Sequence, residues 1–555
     1  MRVPSVIEPA PLERHFTGTV AWYRLSFTGP PTPAGFGWAL RFEQARRRAR
    51  VWLNGTEIGA SDDPYVAFEL DAPGVRPGQI NELRVLVDNR KFPEPREGWW
   101  NWGGLTRPVW LVPRGEIDLR DTGLMSRLSC RPECGGAAVL LDGHLVNRSS
   151  VPHDPAVDVT LEAPDGSVSH RTLSSGPLGP GETQRIRDTV NVEGRPAVWS
   201  PEHPHRYAAT VRVRIGAQLL HERRSWVGLR SVEVSGGRLL LNGRPLQMRG
   251  ASIQEDAPGH GAALTPADVD WIGRELRAVR ADVTRAHYGL NERLLNRLDK
   301  LGILLWSQAP IYHRDVLLRT PAERERALAT VRGTVLAARS HPSVITHSVA
   351  NELSSTADDV EGTRQFLRDA RGLTRDLDPT LPVSVDLLGR PGLPRQSSYA
   401  AFDLLGANAY FGWYQGPKAR PTADLADLGP FLRRLHRQYP RQAIVLTEFG
   451  AEAIANGPAR VKGTHGFQLR YVKRVRRVVD RLPFLSGAIY WTLREFAVKP
   501  RWFGGGEPPG IPRDGIHDKG LVTYDGRRKP AWRFARRWFG DVPLFRRPAA
   551  RAAGG

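Results

Sequence analysis

Alternation of apolar and polar positions dominates the first part of the chain. Segments such as WYRLSF, ARVWLNG and NELRVLVDN place apolar residues at every second position, between turns rich in Gly, Pro and Asn. This period is typical of half-buried β-strands. Asn54-Gly55 follows one such run and favours a two-residue hairpin turn. We therefore predict two β-sandwiches, the first over residues 1–113 and an immunoglobulin-like one over residues 114–228.

From about residue 239 the pattern changes to short apolar runs that alternate with amphipathic segments of helical length. Such alternation is typical of βα units, and eight units make a (β/α)8 TIM barrel. We predict the barrel over residues 229–542, followed by a disordered tail over 543–555. Helices are expected at 265–279, 322–340 and 466–479. The predicted strands are 246–253, 281–287, 303–308, 344–350, 382–386, 402–408, 443–446 and 486–492.

Two of the predicted barrel strands lead directly into a carboxylate. Strand 344–350 is followed by Asn351-Glu352, and strand 443–446 by Thr447-Glu448. TIM barrels carry their active sites at the C-terminal ends of the strands, so both carboxylates would lie at the same face. One carboxyl group of such a pair can attack a glycosidic carbon while the other protonates the leaving oxygen. The pattern therefore predicts a glycosidase that uses two Glu side chains.

The formal net charge of +21 raises the question of a nucleic-acid partner. Only eight of the 79 basic residues are Lys; the other 71 are Arg, and they are scattered along the chain. No aromatic-basic RNA motif accompanies them. A basic surface is the favoured interpretation, so no nucleic-acid partner is predicted. The charge remains compatible with an acidic substrate.

The remaining composition limits other functional classes. Cys130 and Cys134 have no second Cys pair or His pair near them, so neither a zinc site nor any other metal site is expected. They could form a small disulfide or stay reduced. No stretch reaches 18 apolar residues, so no membrane span is predicted. The N-terminus has no apolar signal core, which favours the cytoplasm. No cofactor is expected, and a homo-oligomer remains possible.

Several longer motifs make the chain similar to glycoside hydrolase family 2, and within it to the β-glucuronidases. WYRLSF, VWLNG and WNWGGLTRPVWL resemble the jelly-roll-like sugar-binding sandwich of that family. SVANEL resembles its Asn-Glu pair and TEFG its nucleophile motif. ANAYFGWY resembles a run found in β-glucuronidases rather than the β-galactosidase pattern. The similarity covers nearly the whole chain after Phe16.

The resemblance implies a role for each matched side chain. Glu352 would be the general acid/base and Glu448 the nucleophile of a retaining exo-β-glycosidase. Asn351 would donate to the sugar 2-hydroxyl group, and Tyr410 would hydrogen-bond the nucleophile. Further substrate-binding residues implied by the resemblance are Arg285, His287, Asn408, Tyr414 and Trp491.

The sugar specificity depends on the run Arg513 to Gly520. β-Glucuronidases bind the sugar carboxylate with an Asn-x-Lys pair and an Arg four residues before that Asn; here Arg513 and Lys519 are kept and His517 replaces the Asn. Two cations beside a His still suit a carboxylate, because charge-assisted hydrogen bonds are strong. A β-D-glucuronide is the expected small-molecule or oligosaccharide substrate. A β-galacturonide, a β-galactoside, or carbohydrate binding without catalysis are the alternatives.

Other positions depart from the family pattern. Thr284 stands where the family has an Arg, and Arg285 follows one place later, which predicts a side chain that points elsewhere. Gln308 stands where an acidic residue is common, and Gln254 where a His is usual. Gly98 replaces an Asp near the outer hydroxyl groups of the sugar. The tryptophans of WWNWGG form either sandwich core or an aromatic loop that reaches the sugar site.

The beginning of the chain resembles the middle of the first family domain. Its opening strands are therefore expected to be missing, either because this sandwich is trimmed or because the true start lies upstream. An upstream start could carry a signal peptide, in which case the protein would be secreted.

Overall fold

The computed structural model describes residues 2–7, 16–91, 98–130, 134–312, 315–418, 421–499 and 515–546. Within them lie two β-sandwiches followed by a closed barrel, which confirms the predicted fold class. Each unit has its own apolar core, and the barrel contains the largest of them.

The first sandwich packs the sheet β1-β6-β3-β4 against the sheet β5-β2-β7. Its core contains Phe42, Val51 and Val85 from facing strands. Asn54 and Gly55 both have positive φ angles, 50° and 86°, between the antiparallel strands β3 and β4, so the predicted two-residue hairpin is confirmed. The strands are β1 (Val20–Thr28), β2 (Phe36–Phe42), β3 (Arg48–Leu53), β4 (Thr56–Ser61), β5 (Phe68–Asp71), β6 (Ile80–Asp88) and β7 (Val109–Gly115).

The second sandwich packs β11-β10-β13-β14 against β12-β9-β8. Cys130, at the end of β8, is disulfide-bonded to Cys134, at the start of β9. The bond decides between the two alternatives that the sequence leaves open. The strands are β8 (Ile117–Cys130), β9 (Cys134–Asn147), β10 (Ala156–Glu162), β11 (Val168–Ser174), β12 (Thr183–Asn191), β13 (Tyr207–Ile215) and β14 (Gln218–Val227).

A small antiparallel sheet of β15 (Val232–Ser235), β16 (Arg238–Leu241) and β17 (Arg244–Pro245) leads into the barrel. The barrel strands match the eight predicted strands to within two residues at each end, and their residues are almost all buried, as parallel strands covered on both faces require. The barrel strands are β18 (Met248–Ala251), β19 (Val283–Arg285), β20 (Leu304–Gln308), β21 (Val344–Asn351), β22 (Val383–Leu388), β23 (Leu404–Asn408), β24 (Ala443–Glu448) and β27 (Leu485–Tyr490). Two short strand pairs lie after β24 and β27: β25 (Ala453–Ala455) with β26 (Gly463–Thr464), and β28 (Phe496–Ala497) with β29 (Ile516–His517).

Helices cover the outside of the barrel. The first begins with a capping box in which Thr265 and Asp268 satisfy each other's backbone N–H groups, with Pro266 at the first helical position. The helices are α1 (Pro266–Ala278), α2 (Glu292–Leu301), α3 (Pro321–Ala338), α4 (Glu361–Leu377), α5 (Ser397–Ala400), α6 (Leu428–Gln438), α7 (His465–Val479) and α8 (Pro530–Asp541), with short 3-10 helices at Asp315–Leu318, Ala357–Asp359 and Leu425–Asp427.

The predicted disordered tail begins too early. Phe545 is buried against the barrel and forms an isolated β-bridge with Leu246, because an apolar side chain at this point still finds core surface to cover. Residues 547–555 lie outside the described part of the chain. None of the helices within the described ranges is long and apolar enough to cross a membrane.

Candidate active site

The two predicted carboxylates lie at the same end of the barrel. Glu448 is the last residue of β24, and Glu352 directly follows β21. Glu352 has a φ angle of 52°, which an L-residue rarely adopts, and its N–H donates to the Asp386 carbonyl at 2.9 Å. Strained backbone of this kind persists only where surrounding contacts hold it, and it concentrates at functional positions. The chain thus fixes the direction in which the Glu352 side chain leaves the strand end.

Glu448 is held by groups that donate hydrogen bonds or carry positive charge. Arg285 Nη1 donates to Oε1 at 2.7 Å, and the Tyr410 hydroxyl donates to Oε2 at 2.7 Å. His287 Nε2 lies 3.4 Å from Oε1. Each carboxylate oxygen therefore has a partner, which orients the group for attack by one lone pair. The predicted hydrogen bond from Tyr410 to Glu448 is present.

Glu352 has a different environment. Burial, and after it the nearby negative charge of Glu448, raise the pKa of its carboxyl group to about 8. The Asn408 amide, which donates to Oε1 at 2.9 Å, and the charge of Arg285 act in the opposite direction. Glu352 is consequently protonated at neutral pH. Glu352 can therefore donate a proton, while the oriented carboxylate of Glu448 can attack an electrophilic carbon.

Asn351 and Asn408 form a chain of amides between the two carboxylates. Asn351 Oδ1 accepts from Arg285 Nη2 and from Asn408 Nδ2, both at 2.8 Å. Thr447 donates its hydroxyl to Asn408 Oδ1 at 2.8 Å, which fixes the orientation of the second amide. Because Asn351 accepts both bonds through its oxygen, its Nδ2 is left to donate to a hydroxyl group of a bound sugar.

Arg285 does not point away from the site, contrary to the expectation from its shifted position. It ends β19 with its guanidinium in the barrel interior, fully buried, whereas Thr284 turns the other way and donates to the Ala251 carbonyl at 2.9 Å. The fully buried guanidinium donates to Glu448 and to Asn351. Substrate binding by Arg285 stays a prediction.

Three aromatic side chains pack around the ring of His287. Its ring stacks on Trp99 at 5.5 Å between centroids and contacts Trp491 at 4.6 Å and Tyr312 at 6.0 Å. Trp99 comes from the first sandwich, so the WWNWGG loop does reach the barrel site. Its backbone forms a β-bridge with Val498, which follows the last barrel strand. We call Trp99, His287, Tyr312 and Trp491 the aromatic wall.

A second cluster lies beside Tyr410 and contains a buried cation. Lys519 Nζ donates to the Tyr414 hydroxyl at 2.6 Å and lies 3.3 Å from Glu452 Oε1 and 3.4 Å from His517 Nε2. Burial lowers the pKa of His517 well below its ordinary value, and Lys519 lowers it further, so the imidazole is neutral. We call Tyr414, Glu452, His517 and Lys519 the lysine cluster. Arg513, the other predicted cation, lies outside the described residues.

Two models of one protein family match the chain. "Glycosyl hydrolases family 2" matches residues 126–230, and "Glycosyl hydrolases family 2, TIM barrel domain" matches residues 232–471, together more than half of the chain.

The chain belongs to glycosyl hydrolase family 2. This family 2 enzyme is a β-glucuronidase-like glycoside hydrolase, and its substrate is a glycoside.

Curated relatives and solved structures of several specificities are similar to it. A β-glucuronidase of Paenibacillus borealis is 25% identical over 98% of this chain and 91% of the relative. A β-galactosidase of Bacteroides ovatus is 26% identical over 64% of this chain and 42% of the relative. The crystal structure of a family 2 β-galacturonidase from Eisenbergiella tayi bound to galacturonate superposes with a TM-score of 0.83, at 23% identity, over 98% of this chain and 93% of that one.

Two polar residues of the family 2 enzyme's site were not foreseen. Asp386 lies in β22 and contacts Arg285, and Glu452 belongs to the lysine cluster. Gln308, already noted as a departure from the family pattern, ends β20 with its Oε1 2.7 Å from His287 Nδ1. Asp386 could have been found from the sequence, because it is a carboxylate at the end of predicted strand 382–386, and Glu352 and Glu448 likewise lie at strand ends. Glu452 follows Glu448 by four residues and offered no comparable pattern.

No group of three or more His, Cys, Asp or Glu side chains able to hold a metal ion occurs in the described ranges.

Proposed function

We propose that this family 2 enzyme is a retaining exo-β-glycosidase whose preferred substrate is a terminal β-D-glucuronide. The observation that carries the proposal is the contrast between the two carboxyl groups. Glu352 is protonated at neutral pH, whereas Glu448 accepts from Arg285 and Tyr410. Two carboxyl groups whose environments separate their protonation states divide into an acid and a nucleophile.

The reaction would proceed in two displacements. Glu352 protonates the glycosidic oxygen while a Glu448 oxygen attacks the anomeric carbon, so that the aglycone leaves as an alcohol and a glycosyl ester forms on Glu448. The ionised Glu352 then takes a proton from water, whose oxygen attacks the same carbon and releases Glu448. Asn351 Nδ2 would donate to the sugar 2-hydroxyl group in both transition states. Two inversions leave the product with the β-configuration of the substrate.

The lysine cluster supports an acidic sugar. Lys519 is almost fully buried and lies over the rings of Tyr410 and Tyr414, at 5.2 and 4.6 Å, on the side of Glu448 where Tyr410 donates. A buried ammonium group beside the nucleophile would pair with a sugar carboxylate through charge-assisted hydrogen bonds. The β-glucuronidase and β-galacturonidase similar to this chain act on sugars that carry such a carboxylate.

A neutral β-galactoside is the second candidate, and Glu452 favours it. Its carboxylate lies 3.3 Å from Lys519, and the neighbouring His517 is neutral, so the lysine cluster already contains an anion for its cation. A cluster balanced in this way attracts a substrate carboxylate less strongly. The Bacteroides ovatus relative is a β-galactosidase.

A panel of 4-nitrophenyl β-glycosides separates the candidates. The glucuronide, galacturonide, galactoside and glucoside are assayed with the wild-type enzyme at the same pH. We expect the highest kcat/KM with the glucuronide. A preference for the galactoside would overturn the acidic-sugar proposal, and binding of sugar without turnover of any of the four would leave a carbohydrate-binding protein instead of an active enzyme.

Replacing Lys519 with Gln tests the lysine cluster. Loss of a buried, hydrogen-bonded charge partner should lower kcat/KM for the glucuronide by about 100-fold, while the value for neutral glycosides changes by only a few-fold. Lys462→Gln is the matched control, because Lys462 and Lys519 each lie 5.8 Å from the centre of the Trp413 ring, but Lys462 donates to the Trp413 carbonyl and is absent from the lysine cluster. An equal decrease of kcat/KM for uronide and neutral substrates would show that Lys519 does not bind the sugar carboxylate.

A further inference from the structure

Asp386 contacts groups that hold both catalytic carboxylates, although it touches neither with its own side chain. Its backbone carbonyl accepts from the Glu352 N–H at 2.9 Å, at the point where Glu352 adopts its positive φ angle. Its carboxylate pairs with Arg285, through Nε at 2.9 Å and Nη2 at 2.8 Å. Arg285 in turn donates to Glu448 through Nη1. One residue of β22 therefore links the acid/base and the nucleophile.

The surroundings of the Asp386 carboxylate are built to hold an anion. Besides Arg285, Gln308 Nε2 donates to Oδ2 at 2.7 Å and Trp306 Nε1 donates to Oδ1 at 3.2 Å. All of these neighbours are donors, which only an ionised carboxylate can satisfy fully. Both Asp386 and Arg285 are completely buried, so water does not screen their interaction. Burial raises the pKa of Asp386, and the charge and hydrogen bonds of Arg285 act against that rise.

The neighbouring strand leaves space for this carboxylate. Gly406 of β23 lies against it, and a Cβ atom at that position would fall 2.1 Å from Asp386 Oδ1. Any side chain at position 406 would therefore displace the Asp386 carboxylate. The absence of a side chain at position 406 therefore allows the Asp386 carboxylate to lie against β23.

We propose that Asp386 is a positioning residue that sets how strongly Arg285 holds the nucleophile Glu448. The inference rests on the proposed two-carboxylate mechanism. Arg285 divides its donors between two anions, Asp386 and Glu448. Because Asp386 balances part of the guanidinium charge, Glu448 is oriented by Arg285 without being held as tightly as in an isolated ion pair, and it stays reactive toward the anomeric carbon.

Gln308 is the position to which the carboxylate that pairs with Arg285 can be moved from position 386. Its Oε1 accepts from Arg285 Nη2 at 3.2 Å and lies 2.7 Å from His287 Nδ1, while its Nε2 donates to Asp386. A Glu at position 308 would place a carboxylate on the same guanidinium. An Asn at position 386 could then donate to it, so the bond between the two side chains would persist with donor and acceptor exchanged.

The test is a double-mutant cycle of Asp386→Asn, Gln308→Glu and the combined variant, assayed with 4-nitrophenyl β-D-glucuronide. We expect Asp386→Asn to lower kcat by roughly 10- to 100-fold with little change in KM, because the substrate does not touch position 386. Gln308→Glu alone should also lower kcat, since it sets a second carboxylate against Asp386. The combined variant should recover kcat to within about fivefold of wild type, which only coupled sites do.

The pH profile gives a readout that a merely structural role would not move. Glu352 faces the anion Glu448, the cations Arg285 and Arg390, and Tyr410 and Tyr414, whose raised pKa values keep them neutral. Without the charge of Asp386, Arg285 is less balanced and lowers the pKa of Glu352. The basic limb of kcat/KM should therefore move to lower pH in Asp386→Asn and return in the combined variant.

Asp378→Asn is the matched control. Asp378 is also a fully buried carboxylate, but within the described residues its side chain pairs with His347 at 3.0 Å and with Thr380, neither of which belongs to the active site. This variant should lose thermal stability with kcat and the basic limb unchanged.

Wild-type kcat and pH profile in Asp386→Asn, or a combined variant no better than the weaker single one, would overturn the proposal. If Asp386→Asn does not fold, the combined variant still decides by comparison with Gln308→Glu: higher activity supports the proposal and lower activity overturns it. Absence of turnover in the wild-type enzyme would instead contradict the proposed function.

Discussion

Replacing Glu448 with Gln should lower kcat by at least about 10⁴-fold on every glycoside that the wild-type enzyme hydrolyses. The amide has nearly the same shape and can still contact Arg285 and Tyr410, but it lacks the negative charge that attacks the anomeric carbon. The loss should appear in kcat, measured as release of 4-nitrophenolate, while the glucuronide still binds. Thermal unfolding of the variant should stay close to that of wild type.

Glu325→Gln provides the control for Glu448→Gln, because Glu325 is an exposed residue of α3. It should leave kcat unchanged. If Glu448→Gln retained more than a few per cent of wild-type turnover, Glu448 would not be the nucleophile and the chemistry assigned to the two strand ends would be wrong.

Replacing Glu352 with Gln should reduce activity in a way that depends on the leaving group. An alkyl glucuronide needs its oxygen protonated as the bond breaks, so its hydrolysis should fall by roughly 10³- to 10⁴-fold. The 4-nitrophenolate of a 4-nitrophenyl glucuronide leaves with less protonation of its oxygen, so formation of the glycosyl ester should slow less for this substrate. The two rates are compared at one pH. Equal losses for both leaving groups would contradict the role of Glu352 as the acid.

The pH dependence gives a second check on Glu352. Since the pKa of Glu352 is raised to about 8, the protonated acid predominates below that pH and is lost above it. Wild-type kcat/KM should therefore fall as the pH rises through about 8, and Glu352→Gln should lack this limb. The same shift predicts that Glu352 stabilises the fold least above pH 8, because its carboxyl ionises more readily in the unfolded chain. The stability that Glu352 contributes should be lost between its ordinary pKa of 4.5 and about pH 8, so thermal unfolding of the variant should depend less on pH across that range.

The barrel could be predicted well because its strands are buried on both faces. Such strands are continuous apolar runs, and the eight runs stood out between amphipathic segments without any tertiary information. Their ends were less certain, by up to two residues, because hydrogen bonding to neighbours decides where a strand stops. β24, for example, continues through Thr447 to Glu448 by pairing with β23, which the apolar pattern alone does not indicate.

The positions of the two carboxylates were predictable for the same reason, since Glu352 and Glu448 follow apolar runs at strand ends. Arg285 was harder, because a shift of one position along a strand normally turns a side chain to the opposite face. β19 spans only three residues, and its last one turns into the barrel. Tyr312, in the aromatic wall, comes from a loop, and its contact with Trp99 of the first sandwich depends on how the two units pack.

The stereochemistry of the first sugar released tests the central claim most directly. The wild-type enzyme is mixed with 4-nitrophenyl β-D-glucuronide, and the anomeric proton of the product is followed by NMR before mutarotation equilibrates the two anomers. Two displacements through Glu448 predict that the β-anomer appears first and the α-anomer only later. Initial release of the α-anomer would show a single displacement by water, and would contradict the assignment of Glu448 as the nucleophile.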